Sequence, residues 1–341
     1  MRINLYAWFQ VKIMLTGRET GHLRIGYHCS HEQFPPSQLL RLVMKAEGSG
    51  FNAALSSDHF KPWSEAQGES GYAWAFLGAA MHATSIPFGV VCAPGQRYHP
   101  AILAQKAATL QEMFPGRLWV ALGSGQLLNE GITGQGWPPK DVLNTRLAES
   151  ASVIKRLLNG EEVTHRGLVT VERARLYSLP ATPPTIIGAA QTEATAEAIG
   201  TWADGMITTS MPPDRLKGMI EAFRRGGGEG PIVVKIQISY CRDEEKAERE
   251  AWEQWRTHVF PSSITTEVEH PEQFDALTST VRREDVRKQV FTSSDLDEHV
   301  ENIERYVRMG IREIYIHNVN REQEDFIDDF GRKVLPLILD G

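Results

Sequence analysis

The chain has 341 residues, of which 41% are hydrophobic and 23% are charged, a composition typical of a globular protein rather than a disordered or fibrous one. Its formal net charge of −7 argues against a general nucleic-acid binder, which needs a basic surface to release counterions. No run approaches the roughly 20 apolar residues of a membrane-spanning helix, so no membrane partner is expected. Cys29, Cys92 and Cys241 form no CxxC pair, which fits a reducing, cytoplasmic location.

The first segment, residues 1–22, has a short apolar run broken by Gln10 and Lys12, with no small-residue cleavage site after it. We interpret it as a leader outside the fold rather than as a signal peptide. Residues 23–341 are predicted to form one domain.

From residue 23 onward, short β-prone runs alternate with segments of helical periodicity. The predicted strands are 23–30, 52–58, 86–93, 118–122, 185–189, 205–209, 232–240 and 313–316. The predicted helices are 39–48, 73–84, 100–114, 141–158, 193–203, 214–225, 244–259, 296–309 and 322–339. A hairpin is predicted within 161–179, and the irregular segment 261–290 is interpreted as an insertion that could cover a site.

This alternation predicts parallel βαβ units, and eight strands are the number in a (β/α)8 TIM barrel with insertions. A doubly wound open sheet is the competing architecture. It would normally place a glycine-rich phosphate loop after the first strand, but residues 30–36 contain no glycine. The sequence therefore favours the barrel.

In a barrel, the residues that follow each strand should carry the chemistry. Asp58 and His59 follow the second predicted strand, and an imidazole beside a carboxylate can act as a general base near neutral pH. The alternative is that Asp58 caps the next segment and that His59 is only solvated. We weigh the two readings about equally.

Two small-residue segments are weaker candidates for binding sites. Gly123, Ser124 and Gly125 allow a close approach to a ligand but lack a third glycine, so a plain tight turn is the favoured reading of this segment taken alone. Gly188, Ala189 and Ala190 lead toward a helix at Glu193, where an anion could bind or Thr192 could simply cap the helix. The histidines show no metal-ligand spacing, so no metal is predicted.

Several motifs occur together in matching order: Ser57-Asp-His-Phe-Lys-Pro-Trp63, Arg97-Tyr-His-Pro100, Phe114-Pro-Gly-Arg-Leu-Trp-Val-Ala-Leu-Gly-Ser-Gly125, Leu128-Asn-Glu130 and Ala203-Asp-Gly205. Together they resemble the luciferase-like flavin- or deazaflavin-dependent oxidoreductases. Within that superfamily the chain is similar to the branch around deazaflavin-dependent glucose-6-phosphate dehydrogenase, and more closely to a subgroup of non-F420 flavinoid oxidoreductases. The resemblance runs from about residue 23 to the end and implies the barrel reached above.

The resemblance implies a role for each matching position. His59 would act as the acid/base toward the substrate, Trp63 would flank the reacting centre, and Gln126 stands where the dehydrogenases have a catalytic glutamate. The positions implied to bind the cofactor are Asp58, Val90, Val91, Gly123, Ser124, Gly125, Asn129, Gly188, Ala189 and Ala190. A non-prolyl cis peptide is implied at Val90-Val91, and Thr209 falls on the substrate side.

Departures from the pattern bear on the substrate. Gln126 can form hydrogen bonds but cannot donate a proton as a general acid. The position of the sugar-phosphate lysine holds Met211-Pro-Pro213, and the phosphate-binding arginine is replaced around Gln289. Because cations and bidentate donors dominate phosphate recognition, a small hydroxylated and non-phosphorylated substrate is expected.

The resulting hypothesis is a flavin-dependent oxidoreductase that moves a hydride between this substrate and flavin N5. FMN is the preferred cofactor and coenzyme F420 is the alternative. An FMN monooxygenase that uses O2 and a separate flavin reductase is the second hypothesis, and a non-catalytic flavin-binding protein is the third. A metal-dependent hydrolase is a distant fourth, and the resemblance also implies a homodimer.

Overall fold

A computed structural model of the protein describes residues 22–340. The leader predicted for the first 22 residues therefore falls, up to residue 21, outside the described residues. Within this range the strands are β1 Arg24–Cys29, β2 Ala53–Ser57, β3 Phe88–Cys92, β4 Leu118–Leu122, β5 Val163–Arg166, β6 Thr170–Ala174, β7 Thr185–Ala189, β8 Met206–Thr209, β9 Ile232–Ser239, β10 Phe291–Thr292 and β11 Glu313–Asn318.

The α-helices of the same range follow the strands in alternation for most of the chain. They are α1 Pro36–Gly48, α2 Ala73–Ala83, α3 Pro100–Met113, α4 Leu127–Glu130, α5 Lys140–Leu158, α6 Glu193–Gly200, α7 Pro213–Arg225, α8 Glu244–Trp255, α9 Ser262–Thr265, α10 Pro271–Leu277, α11 Arg283–Arg287, α12 Leu296–Arg308, α13 Gln323–Asp329 and α14 Leu335–Leu339. Short 3₁₀ turns cover Gly131–Thr133, Arg256–Val259 and Thr278–Thr280.

Eight strands pair in parallel in the order β1-β2-β3-β4-β7-β8-β9-β11, and the circle closes because β11 also pairs with β1. This closed barrel with intervening helices confirms the predicted (β/α)8 fold. The predicted hairpin is the antiparallel pair β5–β6 between α5 and β7.

Both faces of the barrel strands are apolar because both are buried. Outward-facing residues pack under the helices in the main core, whereas inward-facing residues form a separate cluster inside the barrel: Ala53, Leu55, Trp119, Ala121, Ile187, Ile207, Val233 and Tyr315. Trp119 donates a hydrogen bond to the Tyr315 hydroxyl at 3.2 Å. Gly26 and Gly89 make room for these rings, since a Cβ at either position would overlap Tyr315 or Trp119. The interior below the mouth is therefore filled.

Three predicted segments differ from the structure. The helix predicted to reach residue 203 ends at Gly200. The helix predicted for 322–339 is interrupted by a π-helical turn, Phe330–Val334, just before Pro336, which cannot donate to a carbonyl four residues earlier. The irregular segment 261–290 contains the short helices α9, α10 and α11.

Candidate active site

The carboxyl ends of the barrel strands form a mouth whose two sides differ in character. One side, which we call the polar half, is built by β1, β2, β9, β11 and their following loops and carries His28, Glu32, His59, Lys235 and His317. The other, the small-residue half, lies on β3, β4 and β7 and carries Val91, Gly123 and Ala189. His28 is close enough to Glu32, Lys235 and His59 for their charges to act on it, so the polar half is one electrostatic unit.

Glu32, rather than Asp58, is the carboxylate beside His59. Oε1 of Glu32 lies 2.6 Å from Nδ1 of His59. The other oxygen, Oε2, accepts hydrogen bonds from the hydroxyls of Ser30 at 3.0 Å and Ser57 at 2.9 Å. Although burial alone would raise it, the contact with His59 holds the pKa of Glu32 well below its usual range.

This contact determines which nitrogen of His59 is free for chemistry. An ionised Glu32 can only accept, so its 2.6 Å separation from Nδ1 of His59 favours the tautomer with the proton on Nδ1. Nε2 then holds the lone pair of the neutral ring. Because 22% of the His59 side chain is exposed, the ring is accessible at the mouth, as a general base would have to be.

Asp58 points away from the mouth, which corrects the expected Asp58–His59 pairing. Its carboxylate is completely buried. It accepts hydrogen bonds from Nε1 of Trp74 at 3.0 Å, the hydroxyl of Tyr98 at 3.0 Å and Nη1 of Arg97 at 3.4 Å. Arg97 also pairs with Glu130 at 3.3 Å. With its oxygens committed to protein donors, the Asp58 side chain is part of the scaffold that holds the loop after β2.

Trp63 lies beside His59, as the resemblance implies for a residue flanking the reacting centre. The two ring centroids are 5.5 Å apart, and Trp63 also contacts His258 at 4.7 Å and Phe274 at 5.3 Å. Phe274 belongs to α10, so the insertion at 261–290 packs against the loop that carries His59. The predicted covering role of this insertion agrees with that contact.

A row of rings continues from Trp63 into the polar half. His258 stacks on Trp255 with centroids 3.7 Å apart, Trp255 meets His317 edge-on at 4.7 Å, and His317 lies 4.4 Å from His28. Burial lowers the pKa of His258 to about 3 and holds those of His28 and His317 well below the ordinary value. These three imidazoles are therefore neutral near pH 7.

The loop after β4 is connected to the loop that carries His59. Oδ1 of Asn129 accepts from the backbone N–H groups of Phe60 at 2.8 Å and Lys61 at 3.1 Å, while its amide donates to Oε1 of Gln126 at 3.3 Å. The side chain of Asn129 thus acts within the protein. Gln126 precedes α4 and is half-buried.

The glycine loop itself serves two purposes. Gly125 has φ +85°, and a Cβ there would stand 2.9 Å from Cγ of Glu130, so the turn requires glycine. Gly123 has no such constraint, since its nearest contact would be Ala189 at 3.7 Å. Its missing side chain leaves space in the mouth. Ser124 accepts a hydrogen bond from Nζ of Lys140 at 2.6 Å beside it.

The predicted cofactor positions on β3 separate by strand alternation. Val91 faces the mouth, whereas Val90 is fully buried in the outer core. No cis peptide occurs among residues 22–340, so the Val90-Val91 bond is trans and the cis bond implied by the resemblance is corrected.

The segment at the end of β7 also separates by alternation. Ala189 faces the mouth, but Gly188 faces helix α6, where a Cβ would come within 2.6 Å of Ile199. Ala190 lies in the outer core. Thr192 caps α6 by accepting from the N–H of Thr195 at 3.3 Å, which agrees with the capping interpretation of this segment.

Thr209 ends β8 and pairs in register with Lys235 of β9, so it stands between the two halves as a substrate-side position would.

Within residues 22–340 no group of three or more His, Cys, Asp or Glu side chains is arranged to hold a metal ion. In the same range no helix combines the length and apolar character needed to cross a membrane.

Sequence reasoning missed three members of the site: Glu32, Lys235 and His258. Glu32 follows β1 directly, and a charged residue at a strand end was the available signal. Lys235 is the one charged residue of β9, which is a second signal. His258 lies in the 3₁₀ turn after α8, and nothing in the local pattern marks it.

The sequence and the fold of the chain are similar to those of several known enzymes. Residues 13–313 match the family model described as luciferase-like monooxygenase. The F420-dependent glucose-6-phosphate dehydrogenase of Nakamurella multipartita is 34% identical over 330 residues, which are 93% of this chain and 96% of the relative. The enzyme of the same description from Microbacterium testaceum is 34% identical over 329 residues, 93% of this chain and 97% of its own.

Among solved structures, an F420-dependent secondary alcohol dehydrogenase bound to an F420–acetone adduct superimposes with a TM-score of 0.86 at 28% identity, covering 93% of this chain and 99% of its own. These matches confirm the resemblance drawn from the motifs. The relatives named here depend on F420, so they favour the alternative cofactor over FMN. Two of them act on glucose 6-phosphate, which runs against the expectation of a non-phosphorylated substrate.

Proposed function

The chain belongs to the luciferase-like monooxygenase family, and from that premise we propose that it is an F420-dependent dehydrogenase of a hydroxylated substrate. The observation that carries the proposal is the 2.6 Å contact of Glu32 with His59 at the barrel mouth. The dehydrogenase relatives supply the cofactor and make glucose 6-phosphate the first substrate to test.

The small-residue half fits the cofactor. A planar ring system needs space free of long side chains, and Val91, Gly123 and Ala189 carry none. The packing does not require glycine at position 123, since a Cβ there would meet nothing closer than 3.7 Å, so the space beside it is open. At its edge, Ser124 and Lys140 are the groups that would meet the anionic tail of F420. The chemistry that F420 supplies when bound is acceptance of two electrons as a hydride.

The polar half fits the other part of the reaction. Oxidation of an alcohol to a carbonyl releases a hydride from carbon and a proton from the hydroxyl, and Nε2 of His59 is placed to take the proton. The Glu32 carboxylate keeps the ring in this tautomer and stabilises the imidazolium that results. Gln126 can position the substrate by hydrogen bonds.

Contacts between the insertion and the mouth would limit water. Nζ of Lys61, two residues after His59, donates to the carbonyl of Glu269 at 3.0 Å, and the N–H of Leu127 donates to the carbonyl of Thr266 at 3.0 Å. A site shielded in this way strengthens the electrostatic interactions inside it.

The test is an anaerobic titration of the purified protein with F420 and with FMN, followed by mixing with glucose 6-phosphate, glucose or 2-propanol. We expect tighter binding of F420 than of FMN and loss of the visible absorbance of oxidised F420 on addition of a substrate. His59→Ala should bind F420 equally well and fail to reduce it.

Each other result supports a different function. Tight FMN binding, with oxygen uptake that depends on a substrate and an added flavin reductase, would favour the monooxygenase. Cofactor binding without any substrate-dependent change would favour a non-catalytic flavin-binding protein. Full reduction of F420 by His59→Ala would remove His59 from the role of base.

A further inference from the structure

Lys235 is a cation in the mouth without a hydrogen-bond or ion-pair partner among the described residues. It lies on β9, pairs in register with Thr209 on β8 and Tyr315 on β11, and is half-buried. Its neighbour Val233, two residues earlier, belongs to the inner cluster, so alternation turns Lys235 inward as well. Within residues 22–340 its ammonium makes no hydrogen bond and no ion pair, and its one described contact is the Trp255 ring, 5.8 Å away.

Other cations around the mouth are already engaged. Nζ of Lys61 donates to the carbonyl of Glu269, and Arg97 pairs with Asp58 and Glu130. Lys140 donates to Ser124 and is assigned above to the tail of the cofactor. An ammonium on the inner wall of the barrel without an ion-pair partner leaves a positive charge that can attract an anion entering the mouth.

The surroundings of Lys235 offer no sufficient internal partner. The titratable groups that act on it or share its surroundings are Glu32, His28, His258 and His317. The three imidazoles are neutral, Oε2 of Glu32 accepts from Ser30 and Ser57, and Oε1 lies 2.6 Å from Nδ1 of His59. Burial lowers the pKa of Lys235, which is consistent with a cation whose counter-charge is not in contact.

Building on the proposed function, we propose that Lys235 binds the anionic group of the substrate, a phosphate or a carboxylate, and thereby presents the reacting hydroxyl to His59. An ammonium recognises either oxyanion as a compact point charge. The substrate class is then a hydroxylated anion, and the anion is held by the barrel wall itself.

The competing explanation is that Lys235 only balances the charge of Glu32. In that case its removal would affect every substrate equally, because the base at His59 would be disturbed whatever the substrate carries. If Lys235 binds the substrate, its removal should affect anionic substrates alone.

The experiment compares wild type, Lys235→Met and the control Lys217→Met, which removes an equally long cation from an exposed position on α7. The F420-loaded proteins are assayed with glucose 6-phosphate, glucuronate and neutral glucose, and binding of the same three compounds is measured by calorimetry. We expect Lys235→Met to raise the KM and Kd of the anions about 10- to 100-fold, to leave glucose within about twofold, and Lys217→Met to change nothing. Whichever anion binds more tightly shows whether the site prefers a phosphate or a carboxylate.

Equal losses for glucose and the anions in Lys235→Met, or a shifted pH profile with unchanged anion affinity, would overturn the proposal and support charge balance. Wild-type protein that binds neither anion would overturn it as well. If the wild type fails to reduce F420 with any compound, the proposed function fails, but calorimetry still decides the role of Lys235: an anion affinity lost only in Lys235→Met supports it, and an unchanged affinity contradicts it.

Discussion

The polar half and the small-residue half of the mouth are built from the same barrel but carry opposite kinds of side chain. The polar half places one ionised carboxylate, one unpartnered ammonium and several neutral imidazoles on adjacent strands. The small-residue half offers almost no side chain beyond Cβ and Cγ atoms at Val91, Gly123 and Ala189. Under the proposed function, proton transfer belongs to the polar half and cofactor contact to the small-residue half, so we expect that each can be removed without the other.

The largest expected effect is in the polar half, on substituting Glu32→Gln. An amide keeps the shape of the carboxylate but cannot stabilise the imidazolium that forms at His59, so we expect kcat to fall about 10²- to 10⁴-fold. Because the small-residue half is unchanged, F420 affinity should stay within about twofold. Steady-state assays and cofactor titration of the same protein preparation measure both. A variant that loses F420 binding along with turnover would show that the two halves are not separable.

Asp58 provides the contrast to Glu32, since it adjoins His59 in sequence but not in the site. Asp58→Asn removes the charge that Arg97 faces and weakens the acceptor for Trp74 and Tyr98. Breaking such a buried pair costs about 3 kcal/mol of unfolding free energy. Urea unfolding should show this loss, while kcat of the folded fraction changes little. A stable Asp58→Asn protein with severely reduced kcat would show that the Asp58 carboxylate is needed for turnover rather than for stability.

These two carboxylates show how far sequence reasoning reaches. The repeated strand–helix period predicts the barrel, because a parallel sheet buried on both faces leaves a strong local pattern. The motif containing His59 and Trp63 predicts the reacting edge. The partner of His59 could not be found this way, because Glu32 lies 27 residues earlier, in the turn after a different strand, and meets His59 only once the barrel closes.

Strand alternation is the second limit. A run such as 188–190 is equally small throughout, yet only Ala189 faces the mouth, and Gly188 is required by Ile199 of α6. Facing direction depends on register within the closed barrel, which composition does not encode. The sequence likewise does not reveal that Lys235 lacks an ion-pair partner among residues 22–340, because that depends on which side chains the folded barrel brings together.

The small-residue half is tested at Gly123. Its φ is not in the left-handed region and a Cβ would meet only ordinary contacts, so Gly123→Ala should fold and bind F420 normally. Gly123→Leu adds a branched side chain to the space that the cofactor would occupy, and overpacking of this kind should weaken F420 binding about 100-fold. Cofactor titration gives the affinities, and thermal unfolding checks that both variants are folded. Equal affinity in the two variants would place the cofactor elsewhere.

The smallest expected effect is on the pH dependence of the unfolding free energy. It tests the polar half alone, because the neutral imidazoles lie there. The folded pKa of His258 is about 3, below the roughly 6.5 of an unfolded chain, so the unfolded state binds more protons between these values. Unfolding free energy should therefore fall as pH drops below about 6.5.

His258→Phe keeps a ring between Trp63 and Trp255 but cannot titrate, and should reduce the loss of unfolding free energy between pH 7 and pH 5 by about 2 kcal/mol. Urea midpoints at both pH values, with Lys217→Met as the exposed control, measure this difference. An identical pH response in His258→Phe and wild type would mean that His258 is protonated, or accessible to protons, in the folded protein, and the polar half would then carry more positive charge than Lys235 alone.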